Sequence, residues 1–312
     1  MGKIQGEFGL GIDGGGSATR WAVADAAGAI LARGEVSAVS GHLFSDVERA
    51  RLAAAMGAIA AALPCPVGAV VAGITGLAAS APQAVDARGI VAGALGLAPG
   101  AVRIENDMWI AYHAVFAPGT GHIVYAGTGA IALHIAADGQ EIRAGGRGML
   151  IDDAGSAFWI GRCALDHVWR ARDFDPAATS ALGAALDQAI GGADWDLHRS
   201  HVYGGGRNAV AQLARAVAEA DDPVARDILG RAGAELARLA LALVGRVGDR
   251  PVALLGRAAT LHPAIAAGFR AAAPALRMHL ATPDTAGAAA RLAVNAGTAQ
   301  ADPNNISRGM RP

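Results

Sequence analysis

The chain is poor in cysteine, in aromatic residues and in net charge. Its two cysteines, Cys65 and Cys163, lie far apart in the sequence and form no Cys-x-x-Cys pair, which argues against a disulfide framework and a cysteine-based metal site. The formal net charge is −1 without a Lys/Arg cluster, so nothing favours a nucleic-acid partner. The longest apolar runs, such as 236–247, contain arginine and are too short to span a bilayer. We therefore expect a cytoplasmic protein with no membrane partner.

The most informative segment lies near the N-terminus. An apolar run leads into Asp13 and three glycines, Gly14, Gly15 and Gly16, which are followed by Ser17. Because glycine has no Cβ, the N–H groups of such a turn can approach a bulky anion. A carboxylate beside the turn would repel phosphate unless a divalent cation lay between them. The segment suggests a metal–nucleotide site, although an ordinary glycine-rich hairpin fits it equally well.

A second segment repeats the order of strand, small-residue turn with a hydroxyl, and strand. It covers 121–136, and its turn contains Gly127, Thr128 and Gly129. A tight reverse turn and a further strand follow in both copies. Two such units suggest a duplicated architecture with a nucleotide clamped between the halves.

The other patterns predict an α/β fold in which mixed sheets are covered by helices. The 312 residues are enough for two domains with sizeable cores. The predicted strands are 8–13, 20–25, 30–36, 66–74, 101–105 and 251–255, with a second meander at 123–142. The predicted helices are 46–63 with Asp46 as its cap, 81–95, 108–116, 263–273 and 284–295, with a long helical region up to about 247.

Six segments in this order resemble the sugar kinase–Hsp70–actin superfamily, and within it the BadF/BadG/BcrA/BcrD-type ATPases and the N-acetylglucosamine/glucosamine kinases. They are 11–17, 105–107, 126–129, 145–161, 252–256 and 283–288. The resemblance implies duplicated ribonuclease H-like domains of the actin/hexokinase type with a nucleotide cleft between them. It divides the chain into an N-terminal sugar/phosphate domain, 1–117, and a C-terminal nucleotide-binding domain, 118–284, with a helix at about 285–300 that packs back on the first.

The resemblance also implies roles for individual residues in the use of ATP and Mg²⁺. Asp13 would hold Mg²⁺ through water, and Asp107 would be the base that takes the proton from a sugar hydroxyl, with the hydroxyl on C6 as the expected acceptor. The nucleotide-binding and phosphate-binding residues would be Gly14, Gly15, Gly16, Ser17, Thr19, Gly127, Thr128, Gly129 and Gly256. The substrate-binding residues would be His42, Asn106, Asp107, Gly145, Gly146 and Asp153.

Simpler roles remain open for several of these residues. Asp107 precedes a helix and could be its N-cap. Asp13 could cap the turn that follows it, and Thr128 could be an ordinary strand hydroxyl. Asp153 is equally compatible with a role in loop structure and with a contact to sugar hydroxyls.

Two departures from the family pattern concern the sugar. Ala154 stands where the family has Glu, a residue that the bacterial glucosamine kinases of the group also lack. His42 stands where many relatives have a sugar-binding Asn. We expect an amino sugar, glucosamine or N-acetylglucosamine, as the acceptor and a homodimer as the assembly. The alternatives are an activator ATPase, which would need cysteines that hold an iron–sulfur cluster, and a catalytically weakened sugar or nucleotide sensor.

Overall fold

The computed structural model of the chain describes residues 8–15, 18–41 and 43–301. It contains two compact units. One comprises the described residues up to Ala114 and from Pro283 onward, and the other is Val115–Thr282. Each unit contains one five-stranded mixed sheet flanked by helices, which confirms the predicted α/β class. No helix within the described ranges combines the length and apolar character that a membrane span requires.

The elements are numbered in chain order. The strands are β1 (Gly9–Gly14), β2 (Thr19–Ala24), β3 (Ile30–Val36), β4 (Ala69–Ile74), β5 (Val102–Glu105), β6 (His122–Ala126), β7 (Ala130–Ile135), β8 (Glu141–Gly145), β9 (Val252–Leu255) and β10 (Met278–Leu280). The helices are α1 (Asp46–Ala62), α2 (Pro82–Leu95), α3 (Asp107–His113), α4 (Ala157–Phe174), α5 (Ala181–Ile190), α6 (Trp195–Glu219), α7 (Pro223–Val247), α8 (Pro263–Ala272) and α9 (Thr285–Ala301).

The first sheet has the strand order β3-β2-β1-β4-β5. Strands β1, β2 and β3 form an antiparallel meander, while β4 and β5 run parallel to β1. The carboxyl ends of β1, β4 and β5 therefore lie at one edge of the sheet, which is where open α/β sheets bind ligands. The turn between β1 and β2 lies at the same edge.

Helix α9 packs closely on β1 because two residues of the strand have no side chain. A Cβ atom on Gly11 would lie 2.1 Å from the carbonyl oxygen of Ala286, and one on Gly9 would lie 2.5 Å from that of Ala290. The buried residues of α9 that face the strand are themselves mostly alanine. This close approach brings the first residue of α9, Thr285, to the end of β1 that carries Asp13.

Helix α1 is capped by Ser45 and not by Asp46. The Ser45 hydroxyl accepts a hydrogen bond from the Glu48 N–H, and the Glu48 carboxylate accepts one from the Ser45 N–H. This reciprocal pair is a capping box, which satisfies two backbone donors that a helix end otherwise leaves unpaired. The prediction that Asp46 is the cap is wrong because the serine before it has the matching Glu three residues later.

The second sheet repeats the plan of the first, with the order β10-β9-β6-β7-β8. Strands β6, β7 and β8 form the antiparallel meander, and β9 and β10 run parallel to β6. The short edge strand β10 was not predicted. Helices α7 and α8 cross closely in this unit, because a Cβ on Gly233 would lie 1.9 Å from the Ile265 carbonyl oxygen.

Candidate active site

Asp107 lies at the carboxyl edge of the first sheet, as the first residue of α3. Its Oδ2 accepts a hydrogen bond of 2.7 Å from the hydroxyl of Thr75, the residue that follows β4. Burial raises the pKa of Asp107 above its ordinary value, and the negative charge of Asp13 adds to this rise. The hydrogen bonds from Thr75 and from the Met108 N–H act in the opposite direction. A carboxylate with a raised pKa at a strand end is a candidate for proton transfer.

Asn106, and not Asp107, is the N-cap of α3. Its Oδ1 accepts a hydrogen bond of 2.9 Å from the Met108 N–H, and its Nδ2 donates one of 3.3 Å to the Leu77 carbonyl. The capping role that the sequence leaves open for Asp107 therefore belongs to its neighbour. Because both ends of the Asn106 amide contact the backbone, Asn106 fixes the loop before α3, and its contact with a sugar stays a prediction.

Asp13 lies near the end of β1 and contacts the start of α9. Its Oδ2 accepts a hydrogen bond of 2.5 Å from the Thr285 hydroxyl. Burial raises the pKa of Asp13, while the bond from Thr285 and the positive charge of Arg20 lower it. Arg20 is the residue opposite Asp13 on β2. A cation at Asp13 would favour the ionised carboxylate, which burial disfavours.

The surroundings of Asp13 fit a magnesium ion that is bound together with phosphate. Within the described ranges, no group of three or more His, Cys, Asp or Glu side chains is placed to hold a metal ion. Mg²⁺ in proteins commonly binds through one or two carboxylates, several waters and the phosphates of a substrate. The carboxylate of Asp13 beside a glycine turn suits that mode of binding.

The turn after β1 is tightly connected to β4. The Gly14 carbonyl accepts a hydrogen bond of 2.8 Å from the Thr75 N–H, and the Gly15 N–H donates one of 3.1 Å to the Ala18 carbonyl. Thr19 is fully buried, and its hydroxyl has no hydrogen-bond partner among the described residues. The phosphate contacts of Gly14, Gly15 and Thr19 stay predictions. Those of Gly16 and Ser17, and the sugar contact of His42, lie outside the described residues.

The second glycine turn joins β6 to β7 and lies against the start of α4. The Gly127 N–H donates a hydrogen bond of 2.9 Å to the Gly129 carbonyl. The carbonyls of Gly127 and Thr128 accept hydrogen bonds of 2.9 and 3.4 Å from the N–H groups of Ala157 and Phe158. The side chain of Thr128 is exposed. These bonds hold the turn against the N-terminus of α4, and the phosphate contacts of Gly127, Thr128 and Gly129 stay predictions.

Gly256 follows β9 at the same edge of the second sheet. Its φ is +93°, in the region that favours glycine, and a Cβ there would lie 2.3 Å from the Ala126 carbonyl oxygen. Ala126 is the last residue before the second glycine turn. Two predicted nucleotide contacts, Gly256 and the turn 127–129, thus follow neighbouring parallel strands.

Asp153 is buried, and its carboxylate already binds other groups of the protein. Only 2% of the residue is exposed. Its Oδ2 forms a salt bridge of 2.5 Å with Nη2 of Arg207, and its Oδ1 accepts a hydrogen bond of 3.4 Å from the Ala130 N–H. Its φ of +65° is uncommon for a residue other than glycine. These contacts give Asp153 a role in holding the second turn, and the sugar contact predicted for it gains no support from them.

Gly145 is the last residue of β8, and Gly146 follows it. Both have positive φ, +70° and +67°. The Gly146 N–H donates a hydrogen bond of 2.9 Å to the Ala130 carbonyl, and a Cβ on Gly146 would lie 2.7 Å from Cδ1 of Ile131. The two glycines are therefore required by conformation and space, and their sugar contacts stay predictions.

The structure also assigns contacts to three side chains that were not predicted as site residues. Thr75 places a hydroxyl directly after a buried strand. Thr285 lies in 283–288, the last of the segments that resemble the family. Arg207 follows three consecutive glycines within a helical region, which is an unusual place for them. Each of these patterns could have drawn attention to the residue, but none of them identifies its partner.

The chain matches a known protein family in sequence and solved structures in fold. The profile of the "BadF/BadG/BcrA/BcrD ATPase family" matches residues 10–267. A crystal structure of a "Putative N-acetylglucosamine Kinase" from Chromobacterium violaceum is 26% identical, with a TM-score of 0.69, over 92% of this chain and 99% of that chain. One of the same description from Porphyromonas gingivalis is 15% identical, with a TM-score of 0.72, over 92% and 98%. No curated protein matches the sequence significantly.

A third solved structure extends the likeness to another group of kinases. A ROK family glucokinase from Streptomyces griseus, solved in complex with glucose and AMPPNP, is 17% identical, with a TM-score of 0.58, over 91% of this chain and 98% of that chain. At this level of identity the likeness concerns the fold alone. Together these structures confirm the predicted actin/hexokinase-type fold.

Proposed function

The chain belongs to the BadF/BadG/BcrA/BcrD ATPase family, as its motifs predict, and from this premise we propose that it is an ATP-dependent kinase of an amino sugar. The observation that carries the proposal is Asp107, a half-buried carboxylate at the carboxyl edge of the first sheet, oriented by the hydroxyl of Thr75. The 26% identical structure from Chromobacterium violaceum, which is that of a "Putative N-acetylglucosamine Kinase", supports an amino sugar as the acceptor.

Asp107 would act as the general base. Kinases need a carboxylate that takes the proton from the attacking hydroxyl. In the proposed reaction the sugar oxygen bonds to the terminal phosphorus of ATP, and the bond from that phosphorus to the bridging oxygen of ADP breaks. The hydroxyl proton goes to Asp107, whose raised pKa makes it a better proton acceptor than an ordinary Asp.

Nucleotide binding is assigned to the edge of the second sheet. The turn 127–129 would contact phosphate, and Gly256 would lie beside the adenosine. In the first unit, Asp13 would hold Mg²⁺, which when bound supplies positive charge to neutralise the phosphates. Thr285 keeps the Asp13 carboxylate in a fixed orientation by donating to one of its oxygens.

We further propose that the acceptor group is the hydroxyl on C6 of glucosamine or N-acetylglucosamine. It rests on the motifs around Asp107 and 145–161 and on Ala154 in place of the family's Glu. A homodimer in the cytoplasm stays a prediction.

The test is a screen for sugar-dependent release of ADP. Purified protein with ATP and MgCl₂ would be offered glucosamine, N-acetylglucosamine, glucose, ribose and glycerol in turn. We expect turnover with an amino sugar and a ³¹P–¹H coupling to the C6 protons of the product. Turnover of only ribose or glycerol would overturn the amino-sugar assignment. ADP release that no sugar accelerates would favour an ATPase activator instead, and binding of sugar without turnover would favour a sensor.

A further inference from the structure

The guanidinium group of Arg207 lies directly against the second glycine turn. Its Nη2 is 2.5 Å from Oδ2 of Asp153. A Cβ atom on Gly129 would lie only 2.3 Å from the same nitrogen and 2.9 Å from Oδ1 of Asp153. A residue with a side chain at 129 would therefore displace this ion pair. The guanidinium group can lie this close to the turn because residue 129 has no side chain.

Helix α6 is interrupted immediately before Arg207. Gly206 has φ +61° and ψ −151°, which is far from helical geometry, and it ends a run of three glycines. Such a conformation is strained for any residue except glycine. The break sets the direction in which the helix resumes, and Arg207 is the first residue after it.

Arg207 retains donors that the described protein groups do not use. A guanidinium group carries five N–H bonds in a fixed plane. Asp153 accepts from Nη2, while the buried Nε has no hydrogen-bond partner among the described residues. The side chain as a whole is 38% exposed, so solvent reaches part of it. The buried Asp153, which also contacts the Ala130 N–H, fixes the orientation of the guanidinium plane.

We infer that Arg207 binds the phosphate oxygens of a nucleoside di- or triphosphate at the second glycine turn. This inference rests on the proposed function, because it concerns the same nucleotide site. Guanidinium donors match phosphate oxygens in geometry and charge, and the group stays charged at any physiological pH. Asp153 is then a positioning residue that acts through Arg207.

The test compares nucleotides that carry different numbers of phosphates, with variants that leave no buried carboxylate unpaired. Removing Arg207 alone would strand the buried Asp153 carboxylate, which strongly destabilises proteins. We therefore use the double variant Asp153→Asn/Arg207→Gln, with Asp153→Asn as the reference that keeps the arginine. Isothermal titration calorimetry measures the Kd of each protein for ATP, ADP and adenosine.

The inference predicts that the double variant binds ATP and ADP roughly 10- to 100-fold more weakly than Asp153→Asn, as expected for a lost charge-assisted hydrogen bond. Adenosine should bind both with similar affinity. Equal affinities for ATP, or an equal loss for adenosine, would overturn it. If the double variant does not fold, Asp153→Asn/Arg207→Met replaces it, because methionine keeps an unbranched side chain at 207 and removes the charge. The same selective loss is then expected, and its absence contradicts the inference.

Failure of the inference can be told apart from failure of the proposed function. If the wild-type protein phosphorylates a sugar but the two variants bind ATP equally, only the role of Arg207 is wrong. If the wild-type protein binds ATP but phosphorylates no sugar, the kinase assignment is wrong, and the comparison of Kd values still decides the role of Arg207. A wild-type protein that binds no nucleotide would overturn both.

Discussion

Thr75 and Asp107 follow neighbouring parallel strands of the first sheet, and the Thr75 hydroxyl donates a hydrogen bond of 2.7 Å to the Asp107 carboxylate. The backbone of Thr75 also bonds to the Gly14 carbonyl and accepts from the Gly41 N–H. One residue thus joins the first glycine turn to the candidate base. It holds the carboxylate in one orientation and opposes the rise of its pKa that burial causes.

Replacement of Thr75 should change the pH dependence of turnover. Thr75→Val keeps the shape but removes the donor that lowers the pKa of Asp107, so that pKa should rise. Because the base must be ionised to accept a proton, the acidic limb of the kcat profile should move to higher pH. Thr75→Ser, which keeps the hydroxyl, should restore the wild-type profile. If kcat of Thr75→Val falls at every pH while the acidic limb stays at the wild-type pH, the hydrogen bond does not set the pKa of Asp107.

Neutralising Asp13 should reduce metal-dependent activity without lowering stability. Burial raises the pKa of Asp13 in the folded state above its value in the unfolded state. The protonated carboxyl therefore stabilises the fold below the unfolded-state pKa, and this stabilisation is lost as pH rises through the folded-state pKa. At neutral pH the ionised group therefore costs free energy of folding, and Asp13→Asn removes that cost. We expect a Tm equal to or above that of the wild type, together with a higher MgCl₂ requirement. An unchanged MgCl₂ requirement would show that Asp13 does not hold the metal.

Gly256 should tolerate no side chain. In Gly256→Ala the new Cβ would meet the Ala126 carbonyl at 2.3 Å, with φ at +93°. We expect a loss of about 1–3 kcal/mol in the free energy of unfolding, and weaker ATP binding because the end of β6 must move. Gly57→Ala is the matched control. It lies inside α1 with no atom near its Cβ position, so it should stabilise by about 0.5–1 kcal/mol. Similar results for the two variants would contradict the close packing at Gly256.

Much of the fold could be predicted from the sequence because its signals are local. Alternating apolar runs mark the two meanders, and glycine clusters mark the turn between β1 and β2 and the turn between β6 and β7. The cap of α1 was assigned to Asp46 although Ser45 and Glu48 form the capping box. Strand β10 is only three residues long, and a pattern that short carries little periodicity.

The contacts that define the candidate site could not be predicted in the same way. Thr75 and Asp107 are 32 positions apart, Asp13 and Thr285 are 272 apart, and Asp153 and Arg207 are 54 apart. Which side chains meet depends on the packing of α9 on β1 and on the break in α6, and neither leaves a local pattern of polar residues. For this reason the sequence leaves Asp153 open between a role in loop structure and a sugar contact, and its pairing with Arg207 is visible only in the structure.

The most direct test of the central claim is the sugar-dependent turnover of Asp107→Asn. Because Asn106 supplies the cap of α3 in both proteins, the substitution leaves the helix start intact. The account predicts a fall of roughly 10²- to 10⁴-fold in kcat, which is the usual contribution of a general base. ATP affinity should be retained, and Tm should not fall. A variant that turns over the amino sugar at nearly the wild-type rate would contradict the assignment of Asp107 as the base.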